Sequence, residues 1–279
     1  MELRQVALEV ARILQDAGKH ALNDQMNPRD LKSFEMTDNH LSFTSDIDKR
    51  LAQFISNRIT YVDVFDGFWQ FRPEECHPGE RYWCVGGIDG AINFVRSMPE
   101  WTITVSLFEF NDQCSAQPIL SVVHAPALGL TYLAVRGFGA IRIRKTPLGD
   151  KREKIMPSTT PSLDYAVVSF GMSHVPEESK RALEVVSRIA GRPADIKRVG
   201  PASLDLCKVA DGTYDAYFEA HLHKWDVPAV SAGAVVVWEA QGHLSRWNGD
   251  LVHWRQENDV LATNGLIADD LRQYWHKTD

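Results

Sequence analysis

Apolar residues at the start of the chain recur at three- and four-residue steps. Leu3, Val6, Val10, Ile13, Leu14 and Ala17 fall on one stripe, which predicts an amphipathic helix with one face turned to a core. A second helical face follows in "DIDKRLAQFISNRI", where Leu51, Phe54, Ile55 and Ile59 line up. The stretch between them, Asn23 to His40, keeps neither a helical nor a strand period. It is expected to be a long loop of the kind that often serves a site, with Lys32 as a candidate phosphate contact.

Beyond Tyr61 the period shortens to two. In "WTITVSLFEF", Trp101, Ile103, Val105 and Leu107 alternate with Thr102, Thr104 and Ser106, predicting a strand with one apolar and one hydroxyl face. "PILSVVHAPA" and "LTYLAVRGFGAIRIR" read as further strands, with a turn between Pro126 and Gly129. The charged stretch "KTPLGDKREKIMPSTTPS", rich in Pro, Ser and Thr, reads as a linker. After it, strands ("YAVVSF", "YDAYFE", "VLATN") alternate with helices ("EESKRALEVVSRIAG", "ASLDLCKVADG", "VPAVSAGAVVVWEAQG", "IADDLRQYW"), the pattern of α/β architecture. The expected organisation is an N-terminal α+β sub-domain over 1–148, carrying an antiparallel sheet, and a C-terminal α/β sub-domain over 149–279.

Composition narrows the class. A chain of 279 residues, 44% hydrophobic and 24% charged, is long enough for one or two domains with a sizeable core. Its net charge of −7 has the wrong sign for a nucleic-acid binder and is compatible with a cation-binding enzyme. No window of about 18 apolar residues is present, and the N-terminal stretch lacks the signal-peptide pattern. Cys76, Cys84, Cys114 and Cys207 lie far apart with no CxxC pair, so thiols are expected rather than disulfides or a zinc site. No membrane association and a cytoplasmic location are expected.

The acidic residues carry the chemistry. Asp46 and Asp48 open the second helix, Glu74 and Glu75 sit in "FRPEECHPGE", Asp89 in "GGIDGAINF", and Asp226 opens the helix after "HLHKW". Singly, each has a plain structural role: helix caps for Asp46, Asp48 and Asp226, an exposed loop pair for Glu74 and Glu75, a turn for Asp89-Gly90. Together they match another need. Hard cations take clustered carboxylate oxygens, and helix starts hold phosphate through backbone N–H groups. That combination is what metal-assisted phosphoester hydrolysis requires.

At this point the sequence resembles a known family. "WCVGGIDGAINFVRSMPEWTITVSL" matches the first signature of the inositol monophosphatase family at Trp83, Val85, Ile88, Asp89, Gly90, Asn93, Phe94 and Pro99. "WDVPAVSAGAVVVWEAQG" resembles its second signature, and "VGPASLDLCKVADGTYDAYFE" the stretch before it. The resemblance implies a layered αβαβα sandwich and a lithium-sensitive, Mg²⁺-dependent phosphomonoesterase, with Mn²⁺ as the other ion. It also implies a small sugar or inositol phosphate as substrate, and a homodimer. By the same resemblance Glu74 is a metal ligand that orients the attacking water, with Glu75 beside it. Ile88 offers a carbonyl to a metal, and Asp89 and Asp226 are metal carboxylates. Asp48 holds a further metal or its water. Gly90 and Ala91 present N–H groups to phosphate, Gly200 to Ser203, Ala202 included, line the substrate pocket, and Glu219 meets substrate hydroxyls. His223 is either a ligand or a rim residue.

Two departures from the family pattern stand out. Gly86-Gly87 replaces Asp-Pro, removing the carboxylate that bridges ions about 3.5–4 Å apart. Ala91 replaces Thr or Ser, removing a hydroxyl that polarises the water. Two readings follow: a phosphatase with an altered, smaller metal set, or a catalytically degenerate member that binds a phosphorylated ligand or protein partner without hydrolysis.

Overall fold

The computed structural model describes residues 2–25, 35–36, 43–44, 46–62 and 65–275. Lys32 and most of the stretch from Asn23 to His40 lie outside the described residues. Helix α1 (Leu3–Gln25) buries Val6, Val10, Ile13, Leu14 and Ala17, the stripe its spacing predicts. Helix α2 (Asp46–Ile59) buries Leu51, Ile55 and Ile59. A short antiparallel ladder, β1 (Glu35–Met36) and β2 (Phe43–Thr44), lies between them in the chain.

Seven strands form the larger sheet in sequence order: β3 (Gly67–Phe68), β4 (Arg81–Asp89), β5 (Thr102–Phe110), β6 (Ala116–Ala125), β7 (Leu130–Val135), β8 (Gly139–Thr146) and β9 (Gly149–Lys154). All neighbours are antiparallel except β3 and β4. A short helix, α3 (Ala91–Val95), joins β4 to β5. The second sheet holds β10 (Val167–Phe170), β11 (Asp195–Lys197), β12 (Ala216–Leu222), β13 (His243–Ser245) and β14 (Asn258–Thr263), in the order β11-β10-β12-β14-β13. Its helices are α4 (Pro176–Ile189), α5 (Ala202–Ala210), α6 (Val227–Glu239) and α7 (Ala268–Arg272).

Three apolar clusters set the layers. Val10, Leu14 and Ile55 pack on Trp83, Ile103 and Val105, covering one face of the larger sheet. Helices α5 and α6 fill the space between the sheets, with Phe108 and Val123 on one side and Tyr217 and Val260 on the other. Val185, Ile189 and Leu271 cover the far face of the second sheet. The result is the αβαβα sandwich that the resemblance implies. Helix α6 is apolar on nearly every face because it touches protein on both sides rather than water.

The hydroxyl face of β5 is buried as well. Ser106 Oγ meets Ser231 Oγ of α6 at 2.8 Å, and Thr102 Oγ1 meets Ser203 Oγ of α5 at 2.6 Å. Paired hydroxyls let most of this polar strand face sit inside the molecule with its hydrogen bonds met, Thr104 Oγ1 being the exception. The predicted linker also differs from expectation. Gly149–Lys154 is strand β9, the exposed edge of the larger sheet, which therefore runs past the expected boundary at 148/149. Its charges suit an edge strand, since they discourage pairing with other chains, and Glu153 pairs with Arg142 at 3.0 Å and with Lys151 at 2.7 Å. Among the described residues, no helix is long and apolar enough to cross a membrane.

Candidate functional site

A cleft of about 440 Å³ opens where β4, β10 and β12 end, bounded by α3, the turn before α4, and the starts of α5 and α6. Of the residues singled out from the sequence, Asp48, Ile88, Asp89, Gly90, Ala91, Gly200, Ala202, Glu219, His223 and Asp226 all line it. Strand ends gather them: each strand delivers its last side chains to the same end of the two sheets.

Asp89 closes β4. Its Oδ2 accepts the Ser203 N–H at 3.1 Å and the Ser203 hydroxyl at 2.6 Å. Burial raises the Asp89 carboxyl above its ordinary range, and the Ser203 bonds oppose that rise. Gly90 follows with φ of 89°, a left-handed turn into α3 that favours glycine. A β carbon there would also stand 3.2 Å from the Glu100 carbonyl oxygen and 3.3 Å from Pro201.

Asp226 sits at the start of α6 yet caps nothing with its side chain. Its Oδ2 instead accepts the His223 N–H at 2.9 Å. Burial raises its carboxyl, and the nearby Asp89 charge adds to the rise. Glu219, on β12, accepts the Tyr217 hydroxyl at 3.0 Å. Burial and then the Asp226 charge push it well above the usual carboxylate range. Gly171 leaves it room, since a β carbon there would lie 2.6 Å from Tyr217 Oη and 2.9 Å from Glu219 Cδ.

Three carboxylates, Glu219 buried and Asp89 and Asp226 half-buried, thus repel one another in one cleft. Sequence reasoning missed Arg198, the single Lys or Arg side chain among the described residues that line the cleft. Its positive charge acts on Glu219, lowering that group's carboxyl against the larger opposing effects. It also missed the turn from Gly171 to His174. A basic residue just before "VGPAS" was the available signal for Arg198.

Glu74 and Glu75 stand apart from the other residues singled out from the sequence. Both are exposed and neither lines the cleft. They precede the start of β4, which reaches the cleft only at its C-terminal end. Trp69, stacked on Phe108 at 4.0 Å, and buried Cys76 bracket the segment, and Arg255 donates to the Glu74 carbonyl at 2.5 Å. Glu74, to which the resemblance gives a metal-ligand and water-orienting role, is therefore placed outside the cleft that holds Asp89 and Asp226.

Gly86 and Gly87 are packed tightly. The β4–β5 register shifts between Val85 and Ile88. A β carbon on Gly86 would stand 2.3 Å from Thr104 Oγ1, and one on Gly87 would stand 1.6 Å from Asp48 Oδ1. Asp48, from the first turn of α2, accepts the Ile88 N–H at 2.6 Å. Its carboxylate thus holds the loop while Asp48 also lines the cleft.

Chemically, the donors fit one oxygen-loving cation more readily than a close pair. Asp89 and Asp226 are two of the four carboxylates that line the cleft, with Asp48 and Glu219, and a dication would relieve their repulsion. Among the described residues, no three cleft carboxylates bring ligand atoms within 4.8 Å of one another, whereas Glu178, His221 and His223 do. Mg²⁺ commonly takes one or two carboxylates and completes its shell with waters and substrate phosphate, so the fit holds without an all-protein cage.

Fold and cleft together define a layered α/β protein built around a carboxylate pocket. The chain belongs to the inositol monophosphatase family, whose sequence profile matches residues 2–278. It is 31% identical over 189 residues to the putative Nus factor SuhB of Neisseria meningitidis, covering 67% of this chain and 66% of that protein. It is 32% identical over 193 residues to the fructose-1,6-bisphosphatase/inositol-1-monophosphatase of Thermotoga maritima, covering 69% and 67%. These matches span about two thirds of each relative's length. The solved structure of a Thermotoga maritima IMPase superposes with a TM-score of 0.76 at 24% identity, over 95% of this chain and 94% of that one. That last likeness is one of fold.

Proposed function

We propose that this protein is a Mg²⁺-dependent phosphomonoesterase acting on a small sugar or inositol phosphate with a reduced metal set. The supporting observation is the gathering of Asp89, Glu219 and Asp226 in a cleft whose lining, among the described residues, includes no Lys or Arg but Arg198. Gathering mutually repelling carboxylates opposes folding, and a cation site gives that cluster a purpose. A volume of about 440 Å³ suits a ligand the size of a phosphorylated monosaccharide.

In this reading Asp89 and Asp226 hold the ion, with the Ile88 carbonyl and Asp48 at its margin. A bound Mg²⁺ or Mn²⁺ supplies charge to polarise the phosphoryl oxygens. Ser203 fixes the Asp89 carboxylate, Arg198 meets substrate anion, and the N–H groups of Gly90 and Ala91 receive phosphate. Glu219 accepts substrate hydroxyls, while Gly200 and Ala202 shape the wall. Gly86 and Ala91 contribute neither carboxylate nor hydroxyl, so turnover is expected below that of a site with both. The family's usual homodimer is the expected assembly.

A second reading has its own observation. Glu74 lies outside the cleft and Gly86-Gly87 is packed shut, which favours a phosphate-binding protein without hydrolysis. One experiment separates the two: phosphate release from inositol and sugar phosphates with millimolar Mg²⁺, beside calorimetry of the same ligands. Turnover that disappears in Asp226→Asn supports the esterase. Ligand binding without turnover selects the binder, and the absence of both sinks each.

A further inference from the structure

His221 and His223 alternate at the end of β12, so their rings leave the same face of the sheet, with centroids 4.2 Å apart. Glu178, in the first turn of α4, reaches both. Its Oε2 lies 2.9 Å from His223 Nε2 and its Oε1 3.7 Å from His221 Nδ1. One ligand atom from each of the three lies within 4.8 Å of the others. Behind His221, Glu257 Oε2 stands 3.4 Å from Nε2, a nitrogen shut from solvent and without an acceptor in hydrogen-bond geometry. Trp225 stacks on the His223 ring at 4.3 Å, limiting how that ring turns.

We propose that Glu178, His221 and His223 form a site for one zinc-class transition-metal dication, separate from the carboxylate floor of the cleft. Two imidazole nitrogens and one carboxylate are the three-ligand set of zinc sites that keep a fourth position open. Imidazole ligands suit Zn²⁺, Co²⁺ and Ni²⁺, whereas Mg²⁺ prefers oxygen. Metal on His221 Nδ1 leaves Nε2–H to Glu257, the carboxylate–histidine–metal arrangement that fixes tautomer and ring orientation. The charges also balance: Glu178 and Glu257 offset a dication while both imidazoles stay neutral. His223 belongs to this cluster and to the cleft lining, so the metal stands on the cleft rim, where its open position attracts anions.

A hydrogen-bonded Glu178–His223 pair with no metal is the competing account, and the two differ in what the protein binds. The full chain, stripped with a chelator, is titrated with Zn²⁺ alone by calorimetry and with Co²⁺ by visible absorption. About one equivalent of Zn²⁺ is expected to bind, with Co²⁺ bands of a low-coordinate site that excess Mg²⁺ leaves unchanged. His221→Ala and Glu178→Gln are each expected to weaken Zn²⁺ at least about 100-fold. Glu257→Gln should weaken it about 10- to 100-fold while keeping the Co²⁺ bands. Melting in chelator checks that each variant folds; if His221→Ala does not, Glu178→Gln and Glu257→Gln still decide. No Zn²⁺ binding by the wild type, or unchanged affinity in the folded variants, overturns the proposal. Its failure leaves the esterase reading standing, because that reading is tested with Mg²⁺ alone.

Discussion

The carboxylate of Asp48 rests against the α carbon of Gly87 while accepting the Ile88 N–H at 2.6 Å. A helix start and a strand irregularity, 40 residues apart in sequence, therefore depend on one another. Glycine at 87 is required by that contact, since any β carbon would occupy the place of Asp48 Oδ1.

Gly87→Ala is expected to destabilise the protein by about 1–3 kcal/mol through overpacking. Asp48→Ala alone leaves the Ile88 N–H without its acceptor, also costing about 1–3 kcal/mol. Combined, the two changes should be less damaging than their sum by at least about 1 kcal/mol, because the clash and the lost bond share one cause. A denaturation cycle over the four proteins measures this, and additivity would contradict the contact.

Restoring the family's carboxylate at Gly86 is expected to harm before it helps. Thr104 Oγ1 stands 2.3 Å from where the β carbon would lie, and that hydroxyl is buried without a hydrogen-bond partner. Gly86→Asp should lower stability by about 1–3 kcal/mol. Adding Thr104→Ala should recover much of the loss, read as a return of the melting temperature. Equal melting of wild type and Gly86→Asp would show that the space exists.

Glu74→Ala discriminates between sequence motif and observed geometry. The side chain is exposed and outside the cleft, and Arg255 holds the backbone carbonyl instead. Mg²⁺ affinity and any phosphate release should stay within about twofold of wild type, as expected of a surface change. A hundredfold loss would mean that the loop reaches the cleft when substrate is bound.

Asp205 gives stability a pH dependence. It is fully buried on α5, with Lys208 Nζ at 3.8 Å and neither carboxylate oxygen in hydrogen-bond geometry. Burial pushes its carboxyl up to about 6 from an ordinary 3.8. The folded state then binds the proton more tightly than the unfolded chain. This contribution is fully present below about pH 4 and is lost as pH rises through about 6, amounting to roughly 3 kcal/mol. Asp205→Asn should flatten that slope in denaturation measured between about pH 4 and pH 7. An unchanged slope would assign the dependence to other groups.

Much of the fold was legible because its signals are local. The α1 stripe, the alternation in β5 and the turn between Pro126 and Gly129 each follow from neighbours a few residues apart. Strand β9 was hidden by its charge, since an exposed edge strand carries the composition of a linker. Within the cleft, Asp89, Glu219 and Asp226 were legible from motif, as was the pocket wall at Gly200 and Ala202. Arg198 and the Glu178–His221–His223 cluster were not, although the H-x-H alternation at the end of β12 was a usable signal for two of the three.

Sequence alone determined the main helices, the strands β5 to β8, the family, and the carboxylates available to the cleft, because periodicity and motif identity need no knowledge of where segments meet. The tertiary structure alone decided that Glu74 stays outside, that Asp48 occupies the space beside Gly87, and that Glu178 meets two histidines from another element. Those outcomes depend on which end of each strand faces the cleft and on how closely the layers pack, and both are set only when distant segments close on one another.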